Sequence, residues 1–295
     1  MNSHHKGRCD FDFFVGIDWS GAKGDQHKGI SVFQANPDHH VPVKISPIDA
    51  RYWSRAGIVH YLASLSEKGR VLAGIDFAFA HPFADSQAYF PHHPAAAKTA
   101  PELWALIEQI NQGQEDFYGG GIWDDAEFGG YYNAPSGRKG RYFSSRRRQT
   151  EQVAKTIRAP SPTFNCVGPA GVGTGSLAGM RMLHHVASTG AHIWPFMPDR
   201  GNASLTLVEI FPSYYFVQAG IRPVKGAQAQ SSSVNAALAY FGSEGVTEDF
   251  IAMGPDNDDA DALISAAALR AGASQIALGE LPDAALTEGW IFGVK

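Results

Sequence analysis

The sequence is poor in cysteine and contains no long apolar run, and each shortage excludes a class of protein. Only Cys9 and Cys166 are present among 295 residues, with no Cys-x-x-Cys pair, so neither a disulfide framework nor a structural zinc site is expected. No apolar run approaches the about 20 residues that cross a membrane. Residues 1–6 also lack the apolar centre of a secretory signal. We therefore expect a cytoplasmic protein with no membrane partner.

Charge is also scarce, and its balance is slightly acidic. Charged residues make up 18% of the chain and the formal net charge is −5. This balance argues against a protein that coats nucleic acid non-specifically, which would need a basic surface. Apolar residues make up 44%. This content excludes intrinsic disorder and fits a hydrophobic core that is stable without disulfides or structural metal ions. Because neither a repeat nor a clear linker divides the chain, we predict one domain over residues 1–295.

Strand and helix patterns alternate at both ends of the chain. The first part predicts strands at 11–19, 28–34, 41–46 and 70–77, with a helix from Ser54 before the fourth strand. The last part predicts a strand at 205–211, helices at 234–241 and 258–271, and a closing strand at 290–294. This order is typical of an α/β protein with a mixed β-sheet flanked by helices.

The middle of the chain, residues 81–203, differs in composition from both ends. It predicts a helix that Pro101 can open and another near 176–188. Between them, residues 113–149 have the glycine, tyrosine and arginine content of a long loop, which in a compact domain is usually functional or mobile. We interpret 81–203 as a large, mostly helical and loop insertion after the fourth strand.

Acidic residues interrupt the apolar segments at comparable places. Asp18 ends the first strand, Asp76 ends the fourth, and Glu209 interrupts the strand at 205–211. Three more acids stand at the start of the late helix: Asp258, Asp259 and Asp261. A buried carboxylate is costly unless it is paired, hydrogen-bonded or bound to a cation, and such a cluster could hold a divalent metal. Asp258 and Asp261 share a helix face, whereas Asp259 points elsewhere. Taken singly, each strand-end or helix acid also fits a turn or a helix cap.

Four segments in this order resemble the domain-of-unknown-function 429 family. They are GIDWSG (16–21), GIDFAFAHP (74–82), VEIFPS (208–213) and DNDDADALISAAALR (256–270). Members of that family are predicted nucleases with a ribonuclease H-like fold, and the wider superfamily includes Holliday-junction resolvases. The resemblance covers residues 11–80 and 204–294 well and residues 80–200 poorly.

The resemblance implies a metal site. In the superfamily, acids on the first strand, the fourth strand and the last helix bind the metals. Carried over to this sequence, the ligands of Mg²⁺ or Mn²⁺ are Asp18, Asp76, Asp258 and Asp261, with Glu209 as an additional catalytic member.

A basic segment lies within the long loop. Six cations follow one another without an acid among them and form our candidate substrate-binding set: Arg138, Lys139, Arg141, Arg146, Arg147 and Arg148. Tyr131, Tyr132, Tyr142 and Phe143 accompany them, and arginine with aromatic rings suits the phosphates and bases of single-stranded or irregular nucleic acid. The alternative is a solvated loop whose charge offsets the acidic segment before it.

Two further features have one functional and one structural interpretation. The glycine-rich segment 171–176 could offer backbone N–H groups to a phosphate, or it is a turn in which Ser176 is a helix N-cap. It lacks the lysine of a P-loop. His81 is a candidate general acid or base, or a turn residue before Pro82.

The leading hypothesis is a divalent-metal-dependent nuclease that hydrolyses phosphodiester bonds in nucleic acid. The alternative is a non-catalytic module on the same fold that binds nucleic acid or protein. An actin- or sugar-kinase-type phosphotransferase ranks lower, because that architecture duplicates the fold and needs a second phosphate motif.

Overall fold

A computed structural model of the chain describes residues 11–168, 171–197, 203–221, 230–255, 257–278 and 280–295. Residues 1–6, Cys9 and Asp256, which enter the sequence-based predictions, lie outside the described residues. Within the described ranges, no helix has both the length and the apolar character needed to cross a membrane.

The centre of the protein is one mixed sheet of six strands in the order β3-β2-β1-β4-β6-β5. The strands are β1 (Phe13–Asp18), β2 (Ser31–Ala35), β3 (Val43–Lys44), β4 (Val71–Ile75), β5 (His192–Ile193) and β6 (Leu205–Glu209). β2 is antiparallel to both β1 and β3, whereas β1, β4, β6 and β5 run parallel to one another. The prediction of an α/β protein with a mixed sheet flanked by helices is confirmed.

The α-helices in the described residues flank this sheet. Those described are α1 (Arg55–Ser66), α2 (Ala100–Ile110), α3 (Gln149–Ala154), α4 (Val172–Ala187), α5 (Pro212–Gln218), α6 (Ser231–Tyr240), α7 (Asp258–Gly272), α8 (Gln275–Leu278) and α9 (Ala285–Glu288). α1 begins after the cap at Ser54 that the sequence predicts, and α2 begins one residue before Pro101. The Ser54 side chain accepts from Gly57 N, and Thr99 with Glu102 forms a capping box, so backbone donors in each first turn are satisfied.

The sheet separates two apolar cores. Val15 and Ile17 point to the face covered by α1, α2 and α4, while Phe14 points to the face covered by α5, α6 and α7. This alternation follows from the two-residue period of a strand. A buried strand with apolar residues on both faces therefore reads as a continuous apolar run.

Two glycines of the sequence motifs allow a helix and a strand to approach closely. A Cβ atom on Gly16 would lie 2.2 Å from Ala262 O in α7, and one on Gly74 would lie 2.4 Å from the Ile210 side chain. Any side chain at Gly16 would push α7 off the sheet. These glycines thus let α7 pack directly against β1 and β4.

Some elements differ from the sequence expectations. The closing segment 290–294 makes a single bridge, from Ile291 to Glu209, instead of a strand. Helix α5 and strand β5 were not predicted, since β5 has only two residues and α5 follows directly on an apolar strand. Residues 81–203 include β5, so this part of the chain also contributes to the sheet.

Candidate acidic site

The carboxylates of three neighbouring strands meet at one edge of the sheet. Asp18 ends β1, Asp76 follows β4 and Glu209 ends β6. Asp76 N donates to Ile17 O at 3.0 Å, which joins the ends of β1 and β4. Because parallel strands end at the same edge of a sheet, this is where open α/β proteins usually bind ligands.

Asp18 lies among the other acids. Burial raises the pKa of Asp18 well above its ordinary value, and the carboxylates of Asp261, Asp76 and Asp258 raise it further. Asp18 also shares a side-chain hydrogen bond with Asp258, and such a bond between two carboxyl groups needs a proton on one of them. One Asp18 oxygen accepts from Trp19 N at 3.1 Å. Asp18 and Asp258 therefore share a proton across the hydrogen bond between them.

Asp76 lies between two groups of acids. Burial, followed by the negative charge of Glu209, raises the pKa of Asp76 to about 7. Its side chain remains partly exposed, so the carboxyl is reachable from solvent. Asp76 can therefore gain or lose a proton near neutral pH.

At the start of α7 the structure places Asp258 and Asp259 in different surroundings. Asp258 faces Asp18 and shares the hydrogen bond with it. Asp259 is buried and accepts from Ser31 Oγ and Lys44 Nζ, both at 2.7 Å, and from Met253 N at 3.1 Å. Asp259 therefore ties α7 to β2 and β3 and does not join the acidic site.

Glu209 is compensated by an arginine. It accepts from Arg148 Nη1 at 2.6 Å, from Arg148 Nη2 at 2.5 Å and from Phe79 N at 3.0 Å. Arg148 also donates from Nε to Glu151 at 2.8 Å, and all three charged side chains are buried. Burial lowers the pKa of Arg148, but Glu209 and Glu151 outweigh it and raise that pKa above its ordinary value. Glu209 is thus an ion-pair partner that also anchors the turn after Asp76.

A cleft of about 360 Å³ opens beside these acids. Asp76, Glu209, Glu151 and Arg148 lie in its wall, together with the turn 19–22 and the first residues of α4. The cleft combines a partly exposed carboxyl with the N-terminal end of a 16-residue helix, an end that favours negative charge in a ligand.

The glycine-rich segment 171–176 reaches the acidic site. Trp19 Nε1 donates to Gly175 O at 3.1 Å, and a Cβ atom on Gly21 would lie 2.3 Å from Gly175 N. The assignment of Ser176 as an N-cap is wrong, because α4 already begins at Val172 and Gly171 is its N-cap. Ser176 Oγ instead donates to Val172 O at 2.9 Å and accepts from Ala78 N at 3.1 Å.

The basic segment divides into an exposed part and an anchored part. Arg138, Lys139 and Arg141 are exposed, and Arg138 pairs with Asp124 at 3.6 Å. Lys139 and Arg141 therefore present their charges to solvent.

Arg146, Arg147 and Arg148 form the anchored part and point into the protein. Arg146 donates to both Asp85 oxygens and to three backbone carbonyls, and Arg147 donates to Pro160 O. Arg148 is the buried partner of Glu209. The structure thus places these three predicted substrate-binding residues in intramolecular contacts, because nearby carboxylates and carbonyls accept their N–H groups.

His81 is enclosed. Its Nδ1 lies 2.8 Å from Thr163 Oγ1, its Nε2 lies 2.9 Å from Tyr132 OH, and its ring stacks on Phe164 at 4.2 Å. Burial lowers the pKa of His81, and the charges of Arg146 and Arg148 lower it further. The imidazole is therefore neutral, and both ring nitrogens are already hydrogen-bonded.

Sequence reasoning missed Arg55, which holds the backbone of the turn after β1 beside the acidic site. Arg55 is fully buried and donates to Ser20 O at 2.8 Å and Ala22 O at 2.5 Å, while its own N–H donates to Asp116 at 2.9 Å. It fixes the turn that follows Asp18. An arginine in the first turn of an amphipathic helix gives no sequence signal for such a role, since this position is usually solvated.

Among the residues that the structure describes, no group of three or more His, Cys, Asp or Glu side chains is arranged to hold a metal ion. Comparisons with protein-family profiles, with curated proteins and with solved structures find no match to this chain.

Proposed function

We propose that this chain is a divalent-metal-dependent nuclease with a ribonuclease H-like sheet, which hydrolyses phosphodiester bonds in nucleic acid. The strand order supports this architecture, because three antiparallel strands, β3, β2 and β1, are followed by parallel β4 and β6. Acids at the ends of β1 and β4 and at the start of the long helix α7 match the positions that the family resemblance implies.

One observation carries the proposal, namely the convergence of Asp18, Asp76, Asp258 and Asp261 from two strands and a helix. Carboxylates this close cannot all be ionised unless something positive lies among them. In the absence of metal a proton fills that role between Asp18 and Asp258. A donor set made only of oxygens suits Mg²⁺ or Mn²⁺, and a cation would take the place of the shared proton.

The residues then have distinct roles. Asp18, Asp76, Asp258 and Asp261 would hold the metal, which would supply an activated water and would stabilise the leaving oxygen of a phosphodiester. Asp76 can hold or release a proton near neutral pH. Glu209 accepts from Phe79 N and so positions the turn after Asp76; it touches no substrate and acts as a positioning residue.

The charge of the cleft supports metal dependence. Its wall contains Arg148 together with three acids, Asp76, Glu151 and Glu209, so a phosphodiester approaching the cation-free cleft meets net repulsion. The N-terminus of α4 in the same wall favours the anion once a cation offsets the carboxylates.

The proposal is tested by thermal melting in EDTA and in millimolar Mn²⁺. We compare the wild type, the double variant Asp18→Asn, Asp76→Asn, and a control variant at an exposed acid, Asp249→Asn. We expect Mn²⁺ to raise the Tm of the wild type and of the control by several degrees, because a ligand that binds only the folded state stabilises it. The double variant should show no rise, and an equal rise in all three proteins would contradict the proposed site.

The second candidate is a non-catalytic module on the same fold. One observation favours it: Arg148 already neutralises Glu209, the acid at the end of β6, through two hydrogen bonds. Such a module needs no cation, so it would bind nucleic acid with the same affinity in EDTA and in Mn²⁺ and would leave a labelled oligonucleotide uncut in both. Cleavage in Mn²⁺ that is lost in Asp18→Asn would exclude it.

A further inference from the structure

The long loop 113–149 contains a preformed hairpin, which we name the basic hairpin (residues 132–143). Gly140 N donates to Tyr132 O at 2.9 Å, Ala134 N donates to Arg138 O at 3.0 Å, and Gly137 closes the turn with a φ of +78°. A Cβ atom on Gly140 would lie 2.1 Å from Gly130 O. Because the backbone is held this tightly, the side chains of the hairpin are presented from a fixed support.

The hairpin carries a ladder of planar groups. Tyr142 stacks on His92 with ring centroids 4.0 Å apart and an interplanar angle of 25°. The Arg141 guanidinium lies 4.5 Å from the centre of the Tyr142 ring, and Lys139 lies 5.3 Å from the centre of the Phe143 ring. Arg141, Lys139 and His92 are exposed. Planar rings next to exposed cations are the surface on which unpaired bases stack while their phosphates are neutralised.

The other end of the same loop forms part of the cleft. Arg147 donates to Pro160 O, and Pro160 and Arg148 lie in the cleft wall. From Arg141 to Arg148 the chain has seven steps, which span at most about 25 Å. A strand of a few nucleotides can therefore touch the ladder and reach Asp76 at once.

The size of the cleft indicates which form of nucleic acid can enter. Its volume of about 360 Å³ is at the small end of the roughly 300–1,000 Å³ of small-molecule pockets. One nucleotide unit fits such a space. A duplex is too wide to enter such a space, since even its major groove is about 12 Å across.

We propose that the basic hairpin is a stacking platform for single-stranded nucleic acid, which it directs into the acidic cleft. This inference rests on the proposed nuclease function and names its substrate class. The ladder supplies stacking, Lys139 and Arg141 supply charge, and the narrow cleft selects an unpaired nucleotide.

The test measures fluorescence anisotropy in EDTA, so that binding is separated from metal-dependent chemistry. The probes are 12-nucleotide single strands of DNA and of RNA and the DNA duplex of the same sequence. We expect both single strands to bind at least tenfold more tightly than the duplex. We also expect Lys139→Ala, Arg141→Ala to weaken single-strand binding about tenfold or more, which agrees with the stacking and charge contributions of such sites.

Three further variants separate stacking from charge and from general electrostatics: Arg141→Ala, Arg141→Lys and the double variant Lys98→Ala, Lys155→Ala. Arg141→Lys keeps the charge but loses the planar group, so it should bind more weakly than the wild type and more tightly than Arg141→Ala. Lys98→Ala, Lys155→Ala removes two exposed cations elsewhere and should bind like the wild type. Melting curves in EDTA check that every variant is folded.

Wild-type binding of the duplex as tight as that of the single strands would overturn the inference. So would wild-type affinity in Lys139→Ala, Arg141→Ala, or the absence of single-strand binding at tens of micromolar protein. These failures differ from a failure of the proposed function, which appears as a missing Mn²⁺ effect on Tm. Single-strand binding without that effect would leave the platform in place and indicate the binding module.

Discussion

Replacing Asp76 by asparagine should remove the pH dependence of stability that this carboxyl imposes. In the unfolded chain Asp76 has its ordinary pKa of 3.8, and in the folded protein burial and Glu209 raise that pKa to about 7. Between these values the folded state binds more protons than the unfolded state, so the free energy of unfolding falls as the pH rises. The stabilisation is fully present below the unfolded pKa of 3.8 and is lost as the pH passes through about 7.

The magnitude follows from the two pKa values of Asp76. The gap between 3.8 and about 7 corresponds to about 4 kcal/mol at about 1.36 kcal/mol per pKa unit. The side chain is partly exposed to the cleft, and solvent screening reduces the effect, so we expect about 2 kcal/mol between about pH 5 and pH 8. An asparagine side chain does not ionise, so the stability of Asp76→Asn relative to the wild type should increase by about 2 kcal/mol between about pH 5 and about pH 8.

The assay is urea denaturation of the wild type, of Asp76→Asn and of the control Asp249→Asn, in EDTA at about pH 5 and pH 8. At each pH we subtract the free energy of unfolding of the wild type from that of the variant, so that the contribution of the other titrating groups cancels. Adding Mn²⁺ at the higher pH should restore the stability of the wild type and leave that of Asp76→Asn unchanged. The electrostatic reasoning is refuted if Asp76→Asn differs from the wild type by the same amount at both pH values.

Two further changes test the ion pairs around the site. Arg148→Met should lower the free energy of unfolding, measured by urea denaturation, by about 3–5 kcal/mol, since Glu209 and Glu151 stay buried without a cation. The double variant Arg148→Met, Glu209→Gln should recover part of that loss. If the losses of the two single variants simply add in the double variant, Arg148 and Glu209 do not stabilise the protein as a pair. Asp259→Asn should cost about 1–3 kcal/mol and keep the Mn²⁺ effect on Tm, whereas Asp258→Asn should weaken that effect. The opposite pattern would mean that Asp259 belongs to the site.

Much of the architecture could be predicted because it depends on local patterns. The buried run around Phe13–Asp18, the cap at Ser54 and the proline at Pro101 were sufficient to place a strand and two helix starts. The glycines two residues before Asp18 and Asp76 could be recognised as parts of motifs. The reason for them is visible only in three dimensions, where Gly16 leaves room for the backbone of α7.

The candidate site was predicted in part for the same reason. The sequence by itself determined that acids stand at the ends of β1 and β4 and at the start of a buried helix. Only the tertiary structure decided which acids meet, because a helix start displaced by one residue exchanges Asp258 for Asp259 at the site. Partner choice is likewise non-local, since Glu209 pairs with Arg148, 61 residues away in the chain. A run of six cations looks uniform in sequence, but folding buries Arg148, whose charge needs carboxylates nearby, and leaves Lys139 and Arg141 exposed in water.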